Sequence, residues 1–358
     1  MGLDELILNY AVVLSIGVLT AVFLTPVAWS LATRIGAVDR PSDRKVHSQP
    51  VPRLGGIAIY LSFAVALGAQ LLMETLGFGE PLLGLNKALI GMAVGGTFIF
   101  LIGLIDDFVD LSPIVKFAGQ IAAAALLIEF GVVIEFIGLP FSQGVFFLGS
   151  WGIVLTLLWV VGLTNFVNFI DGLDGLAAGV SGIALLALSY VAYQTGRVEV
   201  ALICFAMAGS SIGFLRHNFN PARIFMGDSG SMFLGFVLGA VTVQGMMKSV
   251  ALVALLVPFV ILGIPIFDAV LAVARRFREG RPVMQADRNH IHHRLLDRGF
   301  SHRQTVIIIY LWSGLLSVAA LTLMFATPGQ RLVAFLGLAL SSLFLATYSG
   351  LFDWLRKG

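Results

Sequence analysis

Eleven runs of roughly 20 mostly apolar residues follow one another along this chain, near 6–33, 54–76, 87–105, 114–134, 150–167, 175–193, 199–216, 229–247, 249–274, 305–326 and 331–351. A run of that length spans the hydrocarbon core of a bilayer as a helix, which satisfies its own backbone polar groups. Charged residues make up only 12% of the 358 and hydrophobic ones 58%. A soluble domain carries about 25% charged residues, so most of this surface must face lipid. The expected fold is therefore all-α: a polytopic integral membrane protein of about 11 transmembrane helices. It is read as a single membrane-embedded domain over 1–358, with loops near 34–53, 106–113, 168–174, 217–228 and 275–304. The opening Met1-Gly2-Leu3-Asp4-Glu5 is acidic and lacks a small-residue cleavage site, so the first run is expected to be an uncleaved span. The ninth run holds Pro258, Gly263 and Pro265 and is expected to be kinked.

Charge chooses the orientation. Arg34, Arg40, Arg44, Lys45, Arg53, Lys116, Arg216, Arg223, the arginines from Arg275 to Arg303, Arg356 and Lys357 all fall on one set of loops. Lys87, Arg197, Lys248 and Arg331 are left for the other side. By the positive-inside rule the basic side is cytoplasmic, with the N-terminus outside and the C-terminus inside. All six histidines fall on that side too. A net charge of +2 gives no reason to expect nucleic acid, and the single cysteine, Cys204, excludes an internal disulfide and a cysteine metal site. The pattern points to something polar and polyanionic handled at the inner membrane surface.

Four clusters carry the chemistry. Gly103-Leu104-Ile105-Asp106-Asp107-Phe108-Val109-Asp110 puts adjacent carboxylates at a membrane boundary, where a metal cation or a shared proton would relieve their repulsion. Asp110 reads equally as a solvated helix end. In the segment Asn165–Leu176, Asn165, Asn168 and Asp171 share one helical face. Gly172 and Gly175 then permit a tight turn whose N–H groups could cradle an anion, although Asp174 could also serve simply as the N-cap of the sixth span. Asn218–Ser231 contains Asp228, a metal ligand or a cap of the eighth span. In Asp287–Arg294, the histidines His290, His292 and His293 among arginines suit phosphate oxygens or metal. A few carboxylates with glycine turns and Arg/His donors are what Mg²⁺ and substrate phosphates require, and the reaction class read from them is Mg²⁺-assisted phosphoryl transfer with a lipid partner.

Taken in order, Asp39–Gly56, Gly103–Gln120, Asn165–Gly179, Gly213–Gly235 and Asp287–Gln304 closely resemble the polyprenyl-phosphate N-acetylhexosamine-1-phosphate transferases, the family of WecA, TagO and MraY. The spacing His290-Ile291-His292-His293 resembles the WecA/TagO branch. The resemblance implies transfer of N-acetylhexosamine-1-phosphate, GlcNAc-1-phosphate foremost, from a UDP-sugar to polyprenyl (undecaprenyl) phosphate, with release of UMP. It implies a bacterial inner membrane enzyme with a cytoplasmic active site, Mg²⁺ (or Mn²⁺) as cofactor, membrane lipid as surroundings, and leaves a homodimer open. Carried over by position, Asp228 resembles the metal ligand, with Asp171 beside it. Asp106 and Asp107 resemble an acidic pair serving the lipid phosphate, one of them as a base. Asn168 and Asp171 resemble active-site polar residues, and Gly172, Leu173, Asp174 and Phe225 line a uridine pocket. His290, His292 and His293 resemble the diphosphate and sugar region. Lys45, His47 and Lys116 resemble lipid-phosphate or substrate-binding positions.

Two rivals stand beside this reading. An intramembrane prenyltransferase would leave the histidines unexplained, and an ion-coupled transporter would place its ionisable groups near the midplane. The orientation is checked by single cysteines at Ser42, Asn220, Gln285 and Gln143 in a Cys204-free background. The first three are expected to be shielded from an impermeant thiol reagent in intact cells and the fourth labelled; external labelling at Gln285 would invert the topology.

Overall fold

The structure is a computed structural model that describes residues 3–39, 50–78, 81–138, 145–246 and 291–325, with single residues at 263, 266 and between 327 and 347. The elements are α1 (Leu3–Ile35), β1 (Val38–Asp39), β2 (Val51–Pro52), α2 (Gly55–Thr75), α3 (Lys87–Val109), α4 (Pro113–Glu129), β3 (Phe136–Gly138), β4 (Val145–Phe147), α5 (Trp151–Ile170), α6 (Leu176–Gln194), α7 (Val198–Asn218), α8 (Gly227–Met246), α9 (Ile291–Asp297) and α10 (His302–Phe325). Among the described residues seven helices are long and apolar enough to cross a membrane: α1, α2, α3, α5, α6, α7 and α10. The protein is therefore a mostly helical, multi-pass membrane protein. The expected spans at 249–274 and 331–351, with the kink at Pro258 and Pro265, lie largely outside the described residues.

Helix α8 is the axis. It is buried without interruption from Ser229 to Gln244, and α3 and α5 flank it. A helix apolar on all sides belongs at the centre of a bundle. Around it, α1 packs on α7 and α2, α7 on α6, and α10 on α6. Small residues let these backbones approach. A Cβ at Gly209 or Gly213 of α7 would lie 2.3 Å from the carbonyl oxygens of Leu14 and Val18 in α1. Pro26 lies inside α1 and has no N–H for the Val22 carbonyl. The His217 ring, through Nε2 at 3.2 Å, occupies that place from α7.

Three expectations are corrected here. The fold is not purely α, because two small antiparallel hairpins, β1–β2 and β3–β4, join helices. The first turns the chain after α1 back toward the start of α8. Helix α4 stops at Glu129 rather than near 134: Gly131 takes φ +87°, and Gly131 N–H and Val132 N–H bond the Ile128 and Leu127 carbonyls, which is a Schellman ending. Finally, Asp174 does not cap α6. Gly175 holds that position at φ +79° with no side-chain cap bond.

The glycine-rich contacts converge where α2, α3 and α8 meet. A Cβ on Gly56 would stand 2.3 Å from the Gly230 nitrogen and the Ser229 hydroxyl, and one on Gly103 would stand 2.6 Å from the Asp228 carbonyl. Gly55 and Gly56 donate to the Phe225 and Met226 carbonyls at 2.9 and 2.8 Å, and Phe225 N–H donates to Pro52 at 2.7 Å. Gly56→Ala must move backbone there and is expected to destabilise the protein by about 1–3 kcal/mol. Gly68→Ala, on the same helix with nothing within 4 Å of its Cβ, is expected to be neutral. Thermal unfolding of the two variants in detergent checks the contrast.

Candidate active site

At one end of the bundle the ends of α3, α5 and α7 and the starts of α4, α8 and α10 surround a cavity of about 1380 Å³. Its described lining includes Asp106, Asp107, Lys116, Asp171, Gly172, Leu173, Asp174, Phe225, Asp228 and His293. Segments more than 100 residues apart in sequence thus meet in one place. His290 lies outside the described residues, as do Lys45 and His47. His292 falls in α9, and its side chain is not described.

Asp228 stands in the first turn of α8 rather than before it, so it caps nothing. The cap comes from α3: Asp107 Oδ1 accepts Asp228 N–H at 2.8 Å, and Oδ2 accepts Ser229 N–H at 3.2 Å and the Ser229 hydroxyl at 2.6 Å. Asp107 is 3% exposed, and a carboxylate at a helix N-terminus satisfies orphan donors and meets the positive end of the dipole. Gly227, at φ +72°, leaves the room: a Cβ there would lie 2.6 Å from both Asp107 oxygens. With its acceptors so engaged, Asp107 braces Asp228.

The Asp228 carboxylate is held on both oxygens. Asn168 Nδ2 donates to Oδ1 at 3.0 Å and Lys116 Nζ to Oδ2 at 2.7 Å. Lys116 also donates to Asp106 Oδ2 at 2.9 Å, so one ammonium bridges two carboxylates from α3 and α8. Asp106 Oδ1 accepts Leu111 N–H at 2.7 Å, which folds the α3–α4 link under it. Asn168 reaches Ser231 as well, at 2.9 Å. One turn earlier, Asn165 bonds Gln120 of α4. The shared face of α5 expected from the spacing is present. Asp110 sits outside this group, in an exposed pair with Arg53 at 3.3 Å; such pairs contribute little.

Asp171 differs from its neighbours. It ends α5, lines the cavity, and its carboxylate accepts no hydrogen bond among the described residues. Burial, with Asp228, Asp107 and Asp174 nearby, pushes its carboxyl well above the usual carboxylate range. Among the described residues the lining carries seven carboxylates against three side chains that are always cationic, Arg53, Lys116 and Arg223. Among the described residues no three His, Cys, Asp or Glu side chains cluster closely enough to hold a metal ion by themselves.

The Gly172–Gly175 turn is engaged differently from the anion cradle expected of it. Asp174 N–H donates to His302 Nε2 at 3.0 Å and Gly175 N–H to Asn218 Oδ1 at 2.9 Å. Asp174 Oδ2 accepts from Asn220 Nδ2 and Ala222 N–H, each at 2.9 Å. Sequence reasoning passed over His302 as a site residue, since a lone histidine nine residues beyond the histidine cluster carries no local signal.

The family model described as glycosyl transferase family 4 matches residues 89–246, from α3 through α8. The chain is 39% identical over 326 residues to a probable undecaprenyl-phosphate N-acetylglucosaminyl 1-phosphate transferase of Bacillus subtilis, covering 91% of this chain and 88% of that protein. It is 40% identical to a decaprenyl-phosphate N-acetylglucosaminephosphotransferase of Mycolicibacterium smegmatis, covering 92% and 84%. An undecaprenyl-phosphate alpha-N-acetylglucosaminyl 1-phosphate transferase of Escherichia coli K12 is 30% identical over 85% and 81%. With relatives of this identity aligned along nearly its whole length, the chain belongs to glycosyl transferase family 4, among the polyprenyl-phosphate N-acetylglucosaminyl 1-phosphate transferases.

Proposed function

We propose that this protein transfers N-acetylhexosamine-1-phosphate, with GlcNAc-1-phosphate the first choice, from a UDP-sugar to polyprenyl phosphate. It does so at the cytoplasmic face of a bacterial inner membrane. The observation that carries the reading is the convergence of Asp228, Asp171, Lys116 and the Asp174 turn on one cavity at the ends of membrane helices. A lipid phosphate has its tail in the bilayer and its head at that depth, while a soluble nucleotide-sugar enters from water. Ionisable groups at helix ends also fit an enzyme better than an ion-coupled transporter, which keeps them near the midplane.

In the reaction, an oxygen of the acceptor phosphate forms a new bond to the sugar-bearing phosphorus of the donor. The bond from that phosphorus to the bridging oxygen breaks, and UMP leaves with the electron pair. The protein's part is positioning and charge neutralisation. Lys116, already between two carboxylates, is placed to meet phosphate oxygens as they arrive. Asp106 faces it and is the member of the acidic pair assigned to the acceptor, since the Asp107 oxygens are engaged by α8. His293 lines the same cavity and is assigned, with His290 and His292, to the diphosphate and sugar. Gly172, Leu173, Asp174 and Phe225 are assigned to the uridine. Lys45 and His47 are kept for the lipid phosphate on the resemblance alone.

The described lining, with its excess of carboxylates, repels two polyanionic substrates unless a cation joins them. The donor set suits Mg²⁺, which takes one or two carboxylates and completes its shell with water and substrate phosphates. Asp228 and Asp171 would hold it, and the open Asp171 carboxylate supports this assignment. When bound, the ion would neutralise the developing phosphate charge.

Purified protein with polyprenyl phosphate, Mg²⁺ and UDP-GlcNAc is expected to release UMP, and UDP-muramoyl-pentapeptide is expected to release none; the reverse preference would overturn the donor assignment. Asp228→Asn is expected to lose turnover while inserting and folding. Near-normal activity would leave Asp228 a packing residue.

Asp171 gives a second test. Its folded pKa is raised, so the folded state holds its proton more tightly than the unfolded chain. In metal-free protein, stability is therefore expected to fall as pH rises from the ordinary carboxylate value, ~4, toward the raised one. Asp171→Asn should make that decline shallower and leave melting unimpaired at neutral pH, while turnover is lost. Melting curves in EDTA across pH, for both proteins, make the comparison.

A further inference from the structure

The start of α10 is fixed by its own sequence. Ser301 and Gln304 form a reciprocal capping box, with Ser301 N–H on Gln304 Oε1 at 2.8 Å and Gln304 N–H on the Ser301 hydroxyl at 3.3 Å. This places His302 and Arg303 in the first turn. From there three side chains of α10 reach main-chain groups of two loops that line the cavity. His302 Nε2 accepts Asp174 N–H at 3.0 Å, Arg303 Nε donates to the Asn220 carbonyl at 2.9 Å, and Tyr310 donates its hydroxyl hydrogen to the Gly175 carbonyl. The last contact needs Gly179, where a Cβ would fall 2.0 Å from the Tyr310 ring and hydroxyl.

The two loops are joined to each other as well, through the bonds from Asn220 and Ala222 to Asp174 Oδ2. Both of those fall on one oxygen. Asp174 Oδ1 accepts from no described residue, while Asp174 lines the cavity. It is a fixed acceptor with a lone pair left for an N–H donor, such as a pyrimidine imide carries. An imidazole nitrogen that accepts an N–H must be unprotonated, so His302 is held as the neutral ring with its hydrogen on Nδ1.

We propose that His302 is a positioning residue for the donor nucleotide: as a neutral acceptor it anchors the Asp174 main chain to α10 and thereby aims the Asp174 carboxylate at the pyrimidine. The role rests on the UDP-sugar reading above. It predicts that the donor side of the reaction depends on an acceptor atom at position 302 and that the lipid side does not.

The test uses the whole detergent-solubilised protein with His302→Gln, which keeps an acceptor oxygen, and His302→Met, of similar length with none of comparable strength. UDP-GlcNAc binding is measured by calorimetry, and KM is measured for UDP-GlcNAc and for polyprenyl phosphate separately. Loss of one hydrogen bond corresponds to about threefold to tenfold. His302→Met is expected to weaken UDP-GlcNAc binding and raise its KM by that factor, with the KM for polyprenyl phosphate unchanged and His302→Gln close to wild type. Wild-type binding in His302→Met, or equal impairment of both variants, would overturn the proposal. Nitrogen-15 histidine spectra of the unsubstituted protein add a readout that needs no variant: a neutral ring protonated on Nδ1 supports the role, and one protonated on Nε2 sinks it. Failure of the wild-type protein to bind UDP-GlcNAc would instead remove the donor reading, and the role with it.

Discussion

The site depends on one hydrogen-bonded carboxylate, Asp107, which serves as the N-cap that α8 lacks. Helix α8 opens with Gly227-Asp228-Ser229 at a glycine turn, and its first N–H groups point at α3. Supplying the cap from another helix fixes the two elements against each other, because moving either one strands a buried carboxylate and its donors together. Breaking such a buried set costs several kcal/mol. The glycines at 56, 103 and 230 bring the backbones within reach of that bond. Asp228 is therefore held by main-chain geometry, and Lys116 and Asn168 act on a carboxylate already in place.

Much of this was legible in the sequence, and the reasons for the rest are physical. Hydrophobic runs mark helices in lipid, so α1 to α3, α5 to α7 and α10 were readable from length and apolarity. The i, i+3 spacing of Asn165, Asn168 and Asp171 named the right face of α5. Partnership across helices was not readable. Asp106 and Asp107 look alike in sequence, yet one faces Lys116 and the other α8, because adjacent residues on a helix point about 100° apart. Asp174 has the form of a cap, but Gly175 takes that place by adopting φ +79°, and the aspartate is freed to join two loops. His302 had no local signal; its role comes from a capping box that turns it toward a loop 128 residues earlier.

Charge in the cavity is arranged in two tiers. Asp106, Asp107 and Asp228 each have donors assigned within the protein and so persist as a fixed scaffold. Among the described residues Asp171 has no such donor, and Asp174 keeps one oxygen free. The open acceptors lie on the turn that ends α5, which His302 and Asn218 tie to α10 and α7. The braced carboxylates lie where α3 meets α8, where the backbone has least freedom. A phosphoryl-transfer site benefits from this division, since the groups that set geometry are then separate from those left open to a ligand.

The bond between His217 and the Val22 carbonyl bears on how the chain is assembled. Pro26 leaves that carbonyl without the usual N–H donor four residues on in its own helix. Helix α1 is made first, and the side chain that answers it lies 195 residues later, at the end of α7. Until α7 is made, that carbonyl has neither the missing N–H at position 26 nor the His217 ring as a partner. The docking of α7 supplies that ring, so the bundle gains a polar lock only once its seventh helix has arrived.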